Sequence, residues 1–208
     1  MKQSKEELKA RFERAMKHKD EWRTIYEDAY KYVLPQRNLY GADPEMSSPK
    51  QDKMARVYDS TAISSTQKFA NRLQAGIFPI QRQWCRLVPG QEIPEERKVE
   101  VQRILDDYTD KMFDVMRQSN FDMAMGELLL ELAIGTGSML IQKGSETSPI
   151  RYTAIPQALI AFDEGPHGTV DKVYRKHIIP FENIDREFPD AKIPSELQET
   201  YSSKRHEK

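Results

Sequence analysis

The apolar residues of this chain keep a helical period as far as Gly135-Thr136-Gly137 and alternate thereafter. A helix buries a stripe when its apolar side chains recur at steps of three and four; a half-buried strand needs steps of two. A fold that serves both halves is α+β: a long N-terminal helix and helical bundle, a small antiparallel sheet, then short helices. The expected organisation is a mainly helical region over 1–137, a β region over 138–179, and short helices over 180–208.

Within the helical part, Leu8, Phe12, Ala15, Trp22, Ile25, Ala29 and Val33 predict one long helix from Lys5 to Val33. Its length would be about 40 Å, its seam is interrupted at His18 and Lys19, and Pro35 ends it. Residues 37–53, with Gly41, Pro44 and Pro49, read as a loop or extended arm. Asp59-Ser60-Thr61 is N-cap chemistry for a second helix carrying Ile63, Thr66, Phe69, Ala70, Leu73 and Ile77. Small residues at Ala62, Ser64, Ser65, Ala70 and Ala75 predict close backbone approach, and Gly76 reads as its stop ahead of Pro79. Trp84, Leu87 and Val88 form an extended piece closed by Pro89-Gly90.

Pro94 opens a third helix with Glu95 and Glu96 at its positive end and a stripe of Val101, Leu105, Tyr108, Met112 and Val115. A fourth, capped by Ser119 or Asn120, carries Phe121, Met125, Leu128, Leu129 and Leu132 and is expected to be the central buried one. Gly135-Thr136-Gly137 reads as its C-terminal cap. Then Met139–Gln142 and Ile150–Ala154 read as strands, and Ala158–Phe162 pairs with Thr169–Ile179 around the turn Asp163–Gly168. Phe181, Ile184 and Phe188 mark a short helix, and Pro194 starts another.

Hydrophobic residues are 38% of the 208 and charged ones 31%. That balance suits narrow helices burying one stripe, or a subunit whose remaining apolar surface meets partners. The net charge of -1 conceals blocks. Residues 50–86 hold seven basic and two acidic side chains, and residues 87–200 hold twelve basic and twenty-one acidic. Such blocks are solvated helix faces, or they pair within a chain or between copies. Cys85 is the single cysteine, so no disulfide forms within the chain. No apolar segment follows the N-terminal lysines and no apolar run approaches a membrane span, so a soluble protein made in a reducing cytoplasm is expected.

Chemistry-bearing motifs are sparse. His18, His167, His177 and His206 are far apart, with no zinc-ligand spacing. Asp163, Glu164 and Asp171 flank the glycine turn without a calcium-loop pattern. Gly135-Thr136-Gly137 follows a helix and precedes a strand, the reverse of a phosphate loop. No serine or cysteine has a base beside it in the chain. Asp106 with Asp110 and Glu127 with Glu131 are acid pairs at helical spacing, usually solvated or salt-bridged faces; Glu127 and Glu131 are the candidates should any catalysis exist. No catalytic residue, metal or cofactor is assigned. Lys53, Arg56, Lys68, Arg72, Arg82 and Arg86 are placed to touch phosphates without reading sequence, or to contact other subunits.

Three blocks, taken in order, resemble the head-to-tail connecting, or portal, proteins of short-tailed phages. The first ends the long helix with Trp22, Tyr26, Tyr30 and Pro35. The second runs from Asp59, Thr61 and Ala62 through Ala70, Leu73, Gly76 and Pro79 to Trp84 and Leu87. The third is Gly135 and Gly137 after Glu131-Leu132, then Ile155-Pro156 and the hairpin with Asp171 and Arg175. Cys85 stands where an aromatic is expected. The family's chains are much longer, so the resemblance implies that this one corresponds to the outer wing, without stem helices, tunnel loop or clip, and is expected to be a fragment or a truncated product.

The resemblance implies a non-enzymatic subunit of a dodecameric ring at one capsid vertex, through which DNA is packaged and ejected. It implies major capsid and scaffolding proteins, terminase and tail adaptors as partners, double-stranded DNA passing without sequence preference, no membrane, and assembly in the host cytoplasm. The alternatives are a helical adaptor or scaffold outside phages, a sequence-independent DNA-binding module, and an enzyme such as a nuclease. The last would require acidic groups to converge in a pocket.

Overall fold

The computed structural model describes residues 4–37, 58–177 and 179–195. Lys53, Arg56, nearly all of the arm expected at 37–53, and the helix expected after Pro194 beyond Ser195 lie outside the described residues.

The single N-terminal helix expected from Lys5 to Val33 is two helices, α1 (Lys5–Asp20) and α2 (Arg23–Val33). Between them the helical ladder tightens: Glu21 N–H donates to His18 O at 3.3 Å and Trp22 N–H to Lys19 O at 3.0 Å. Trp22, with φ -94° and ψ 1°, then leads into α2. The break lies just beyond the polar gap at His18 and Lys19, where no apolar side chain holds the seam to a partner surface. It also changes which face is buried. Ala15, part of the expected stripe, is buried in α1, but in α2 Tyr30 is buried whereas Ile25 is 62% exposed, and Trp22 before it is 53% exposed, so beyond the break the expected stripe is not the packed one. Tyr30 wins the inward position because its hydroxyl finds a buried acceptor there. Pro35 ends the helix as expected and begins a 3-10 turn, Pro35–Arg37.

Helix α3 (Thr61–Ile77) is capped by Asp59, whose Oδ1 accepts from the Thr61 N–H at 2.9 Å and the Thr61 hydroxyl at 2.7 Å. Those two bonds hold the Asp59 carboxyl below its usual pKa. Of the small residues expected to permit close approach, only Ala70 is buried; Ala62, Ser64, Ser65 and Ala75 face outward. Gly76 is not the stop either. It lies inside the last turn, and the helix ends because Pro79 forces Phe78 to φ -124°, ψ 58°.

The segment around Trp84 to Val88 is extended but joins no strand. It runs along helix α4 (Glu95–Gln118). Leu87 N–H donates to Thr109 Oγ1 at 3.1 Å, Gln102 donates to Leu87 O at 3.1 Å, and the Arg86 guanidinium makes two 2.7 Å bonds to Asp106. These bonds turn the Thr109 and Phe113 side of α4 inward. The expected stripe is therefore only half covered, and Tyr108 is 57% exposed.

Helix α5 (Phe121–Leu132) is the most buried element, as expected, contributing Phe121, Ala124, Met125, Leu129 and Glu131. It packs on α3 through Ala70 and on strand β2 (Ile150–Ile155) through Tyr152. Phe121 sits at the centre of an aromatic group, 5.1 Å from Tyr152, 6.1 Å from Phe78 and 6.2 Å from Trp84 between ring centroids. Asn120, expected as a cap, is spent instead on the β2 backbone. Its Nδ2 donates to Tyr152 O at 2.6 Å and its Oδ1 accepts from Tyr152 N–H at 3.0 Å. Ser119 Oγ accepts from Phe121 N–H at 3.2 Å.

Strands β1 (Ser138–Lys143) and β2 (Ile150–Ile155) pair antiparallel from Ser138↔Ile155 to Lys143↔Ile150. Strands β3 (Ile160–Glu164) and β4 (Val170–Arg175) form a second two-stranded sheet, so the single sheet expected is two. Pro156, which lacks an N–H, opens the 3-10 turn Gln157–Leu159 and breaks the pairing between them. The turn into β4 closes with Gly165 N–H to Thr169 O at 2.9 Å. Gly168 there has φ +70°, the one left-handed residue among those described. Gly135 and Gly137 are consequently not left-handed caps. They are small for room: a Cβ on Gly137 would stand 2.8 Å from the Leu128 carbonyl oxygen, and one on Gly135 2.6 Å from Gln157 Oε1.

The chain divides into units Met1–Tyr174 and Arg175–Lys208. In the second, Pro180 leads into a 3-10 turn, Phe181–Asn183, and then α6 (Ile184–Glu187), which stops at Phe188 just before Pro189.

Candidate functional site

Two features of the first unit are the candidates: a buried polar cluster that ties its ends together, and outward helix faces that the fold leaves uncovered. The cluster centres on Glu131, 1% exposed near the end of α5. Its carboxylate accepts from the Tyr30 hydroxyl of α2, from Gln157 N–H at 3.1 Å, and from Arg37 Nη1 at 3.4 Å. Arg37 also holds Glu127 through Nη2 at 3.1 Å and donates to Glu127 O at 3.3 Å. A buried carboxylate is tolerated only when its lone pairs are met. Here α2, the turn Pro35–Arg37 and the turn after β2 each contribute a donor to Glu131 of α5.

Gln157 extends the cluster. Its side-chain oxygen accepts from Thr136 N–H at 3.3 Å, and its carbonyl accepts from the Lys19 ammonium. Burial lowers the Lys19 pKa to about 8, with Asp20 opposing the shift. The unfolded chain therefore holds that proton to a higher pH than the folded one. Stability is expected to rise by on the order of 1 kcal/mol between about pH 8 and 10.5, after allowing for solvent screening of a partly exposed ammonium. Urea unfolding of the protein and of Lys19→Met across that range measures it; a difference between the two that stays flat with pH would refute it.

Trp22 and Tyr26 line an open cleft of about 470 Å³ between the α1–α2 junction and β3, with Lys19, Asp163 and Glu164 on its walls. Tyr30 and Pro35 are buried. Thr61 and Asp59 serve the α3 cap, Ala62 is exposed, and Ala70 and Leu73 pack on the core. Pro79 is half-buried and Gly76 exposed. Trp84 joins the aromatic group, and Leu87 is pinned to α4. Asp171 lies against the backbone of Gly165 in the hairpin, and Arg175 ends β4. Lys68 and Arg72 sit one turn apart on the outer face of α3. Arg82 is not with them; it borders a hollow made by Phe78, Trp84 and Asp122.

The suspected acid pairs are taken up by neighbours. Asp106 binds Arg86, which with Gln102 holds its carboxyl below the usual range, and Asp110 accepts from Gln83 at 2.6 Å. Glu127 and Glu131 share Arg37. Asp163 belongs to the cleft beside α1 rather than to that cluster. No group of three or more His, Cys, Asp or Glu able to hold a metal occurs among the described residues.

Sequence reasoning missed Arg37, Gln157 and Asn120 as organising residues. The one signal available was Glu131 itself, a charge on the most apolar helix, which demands donors from elsewhere in the chain.

Residues 5–208 match the family model described as bacteriophage head to tail connecting protein. The chain belongs to that family. No curated protein matches it. A head to tail connecting protein is a structural part of the phage particle, and its family implies oligomeric assembly with capsid and tail components. Within this connecting protein the Glu131 cluster ties α2, α5 and the turn after β2 together, while the outer faces of α3 and α4 stay uncovered in the single chain. No helix among the described residues is long and apolar enough to cross a membrane.

Proposed function

We propose that this chain is the outer, wing-like part of a portal subunit. Copies of it assemble side by side into a ring, with dodecameric symmetry, at one capsid vertex, and double-stranded DNA passes through that ring without being read. On this reading the major capsid and scaffolding proteins, terminase and tail adaptors are its partners. Assembly takes place in the host cytoplasm, and the chain performs no catalysis. Residues 1–137 supply the helical body, 138–179 the β portion, and 180–208 the lead toward the stem. The motif residues that the fold covers, among them Tyr30, Pro35, Ala70, Leu73 and Gly137, act in packing, and Lys68, Arg72 and Arg82, with Lys53 and Arg56, contact DNA or neighbouring subunits.

The observation that carries the proposal is membership of the connecting-protein family over nearly the whole chain. Large apolar side chains stand outward on several elements, among them Ile25, Tyr108, Met123 and Val173, and lateral assembly would cover part of that surface. Negative-stain electron microscopy of the purified chain, with mass photometry, is the test. Rings or ring arcs of a fixed subunit number are expected. A monodisperse monomer by both methods, in samples cross-linked at tens of micromolar before dilution, would refute lateral assembly of this piece.

A further inference from the structure

Helix α3 turns a stripe of hydrogen-bond donors away from the core. Thr66 and Ala70 are its buried residues, and the exposed Ser64, Ser65, Lys68, Asn71 and Arg72 recur at steps of three and four on the opposite side. The stripe is about 12 Å long. No acidic residue occurs anywhere from Ser60 to Gln91. The carboxylate just before that stretch, Asp59, is engaged by the Thr61 N–H and hydroxyl. Neither Lys68 nor Arg72 forms an ion pair among the described residues. Along one flank of the stripe, Ser65, Lys68 and Arg72 rim an open hollow of about 480 Å³ whose apolar lining is Phe69 and Leu73.

We infer that this face of α3 seats the sugar–phosphate backbone of duplex DNA. The inference rests on the DNA-conducting role proposed above and decides between the two contacts named there for Lys68 and Arg72. Phosphates accept hydrogen bonds and carry only negative charge, and proteins meet them with Lys and Arg beside Ser and Asn. Every polar side chain of the stripe can donate, and no carboxylate stands in it to repel a phosphate. Phe69, 43% exposed, gives the less polar sugars a surface between the charged groups. Serines rather than long side chains beside the two cations let the backbone approach the helix closely. A second copy is a poorer match: the exposed face of α4 mixes Arg97, Arg103 and Lys111 with Glu100 and Asp107, so it offers no unbroken run of acceptors. Contacts confined to sugar and phosphate hold DNA without reading its sequence.

Fluorescence anisotropy of a short labelled duplex, titrated with the 208-residue chain at several salt concentrations, tests it. The variant is Lys68→Gln with Arg72→Gln, and the control is Arg97→Gln with Arg103→Gln, an equal change of charge on the outer face of α4. All four positions are exposed, and circular dichroism verifies folding. Each phosphate contact contributes about one unit to the slope of log affinity against log salt. The variant is therefore expected to lower that slope by about 2 per bound chain, so its deficit is about tenfold larger near 50 mM salt than near 200 mM. The control is expected to keep the wild-type slope. Equal losses in variant and control would reduce the effect to net charge and overturn the inference. A loss on single strands without one on duplex would overturn it too. So would a variant that binds duplex normally but loses the oligomer in mass photometry, since the cations would then serve neighbouring subunits. A wild-type chain that retains no duplex also overturns it, whereas lateral assembly is decided separately by the appearance of rings.

Discussion

Glu131→Ala is expected to destabilise the first unit by about 3–5 kcal/mol, the cost of breaking a buried ionic group from one side. The substitution removes one acceptor and strands several donors. The Tyr30 hydroxyl and the Gln157 N–H lose this acceptor, and Arg37 keeps, among the described residues, only Glu127. Unpaired buried donors forfeit their solvation without return. In a chain of this size the fall in Tm should be on the order of 10 °C. Glu131→Gln keeps an acceptor oxygen for Tyr30 and should lose about half as much. Chemical denaturation of both, with Tyr30→Phe and the double variant, completes the cycle. Additive losses from Glu131→Ala and Tyr30→Phe would show that the two residues do not act together.

Phe121→Ala is expected to cost about 3–5 kcal/mol by a different route. Phe121 begins α5 and lies against Phe78, Trp84 and Tyr152 at once. Truncation opens a cavity where the end of α3, the extended segment after it, α5 and β2 converge, and no single neighbour can move in without leaving its own contacts. Trp84 is already partly exposed, so its environment should report the loss: near-ultraviolet dichroism and tryptophan fluorescence shift while far-ultraviolet helicity is largely kept. Phe121→Leu, which refills most of the volume, should recover more than half of the stability. A loss under 1 kcal/mol for Phe121→Ala would mean that the aromatic group is not a packing centre. Glu131 fails through polarity and Phe121 through volume, so their responses to substitution separate the two supports of the fold.

Local and periodic information was legible from the chain alone. The apolar runs on α5, the prolines that end α2 and α3, the Gly168 turn, and the switch from helix to strand after Gly137 depend on residues within a few positions of one another. The order of the three motif blocks carried the family. Which face of a helix turns inward did not follow. Ile25 is more apolar than Tyr30, yet Tyr30 is buried, because a carboxylate 101 residues later supplies an acceptor. In α4 the regular stripe of Val101, Leu105, Tyr108, Met112 and Val115 was plain, but Thr109 faces inward because Leu87 offers it an N–H. The Glu131 cluster and the uncovered faces of α3 and α4 belong to the tertiary structure alone. Periodicity shows that a stripe must be buried, but the choice of what covers it is made by hydrogen-bond donors, acceptors and volumes that meet only when distant segments pack.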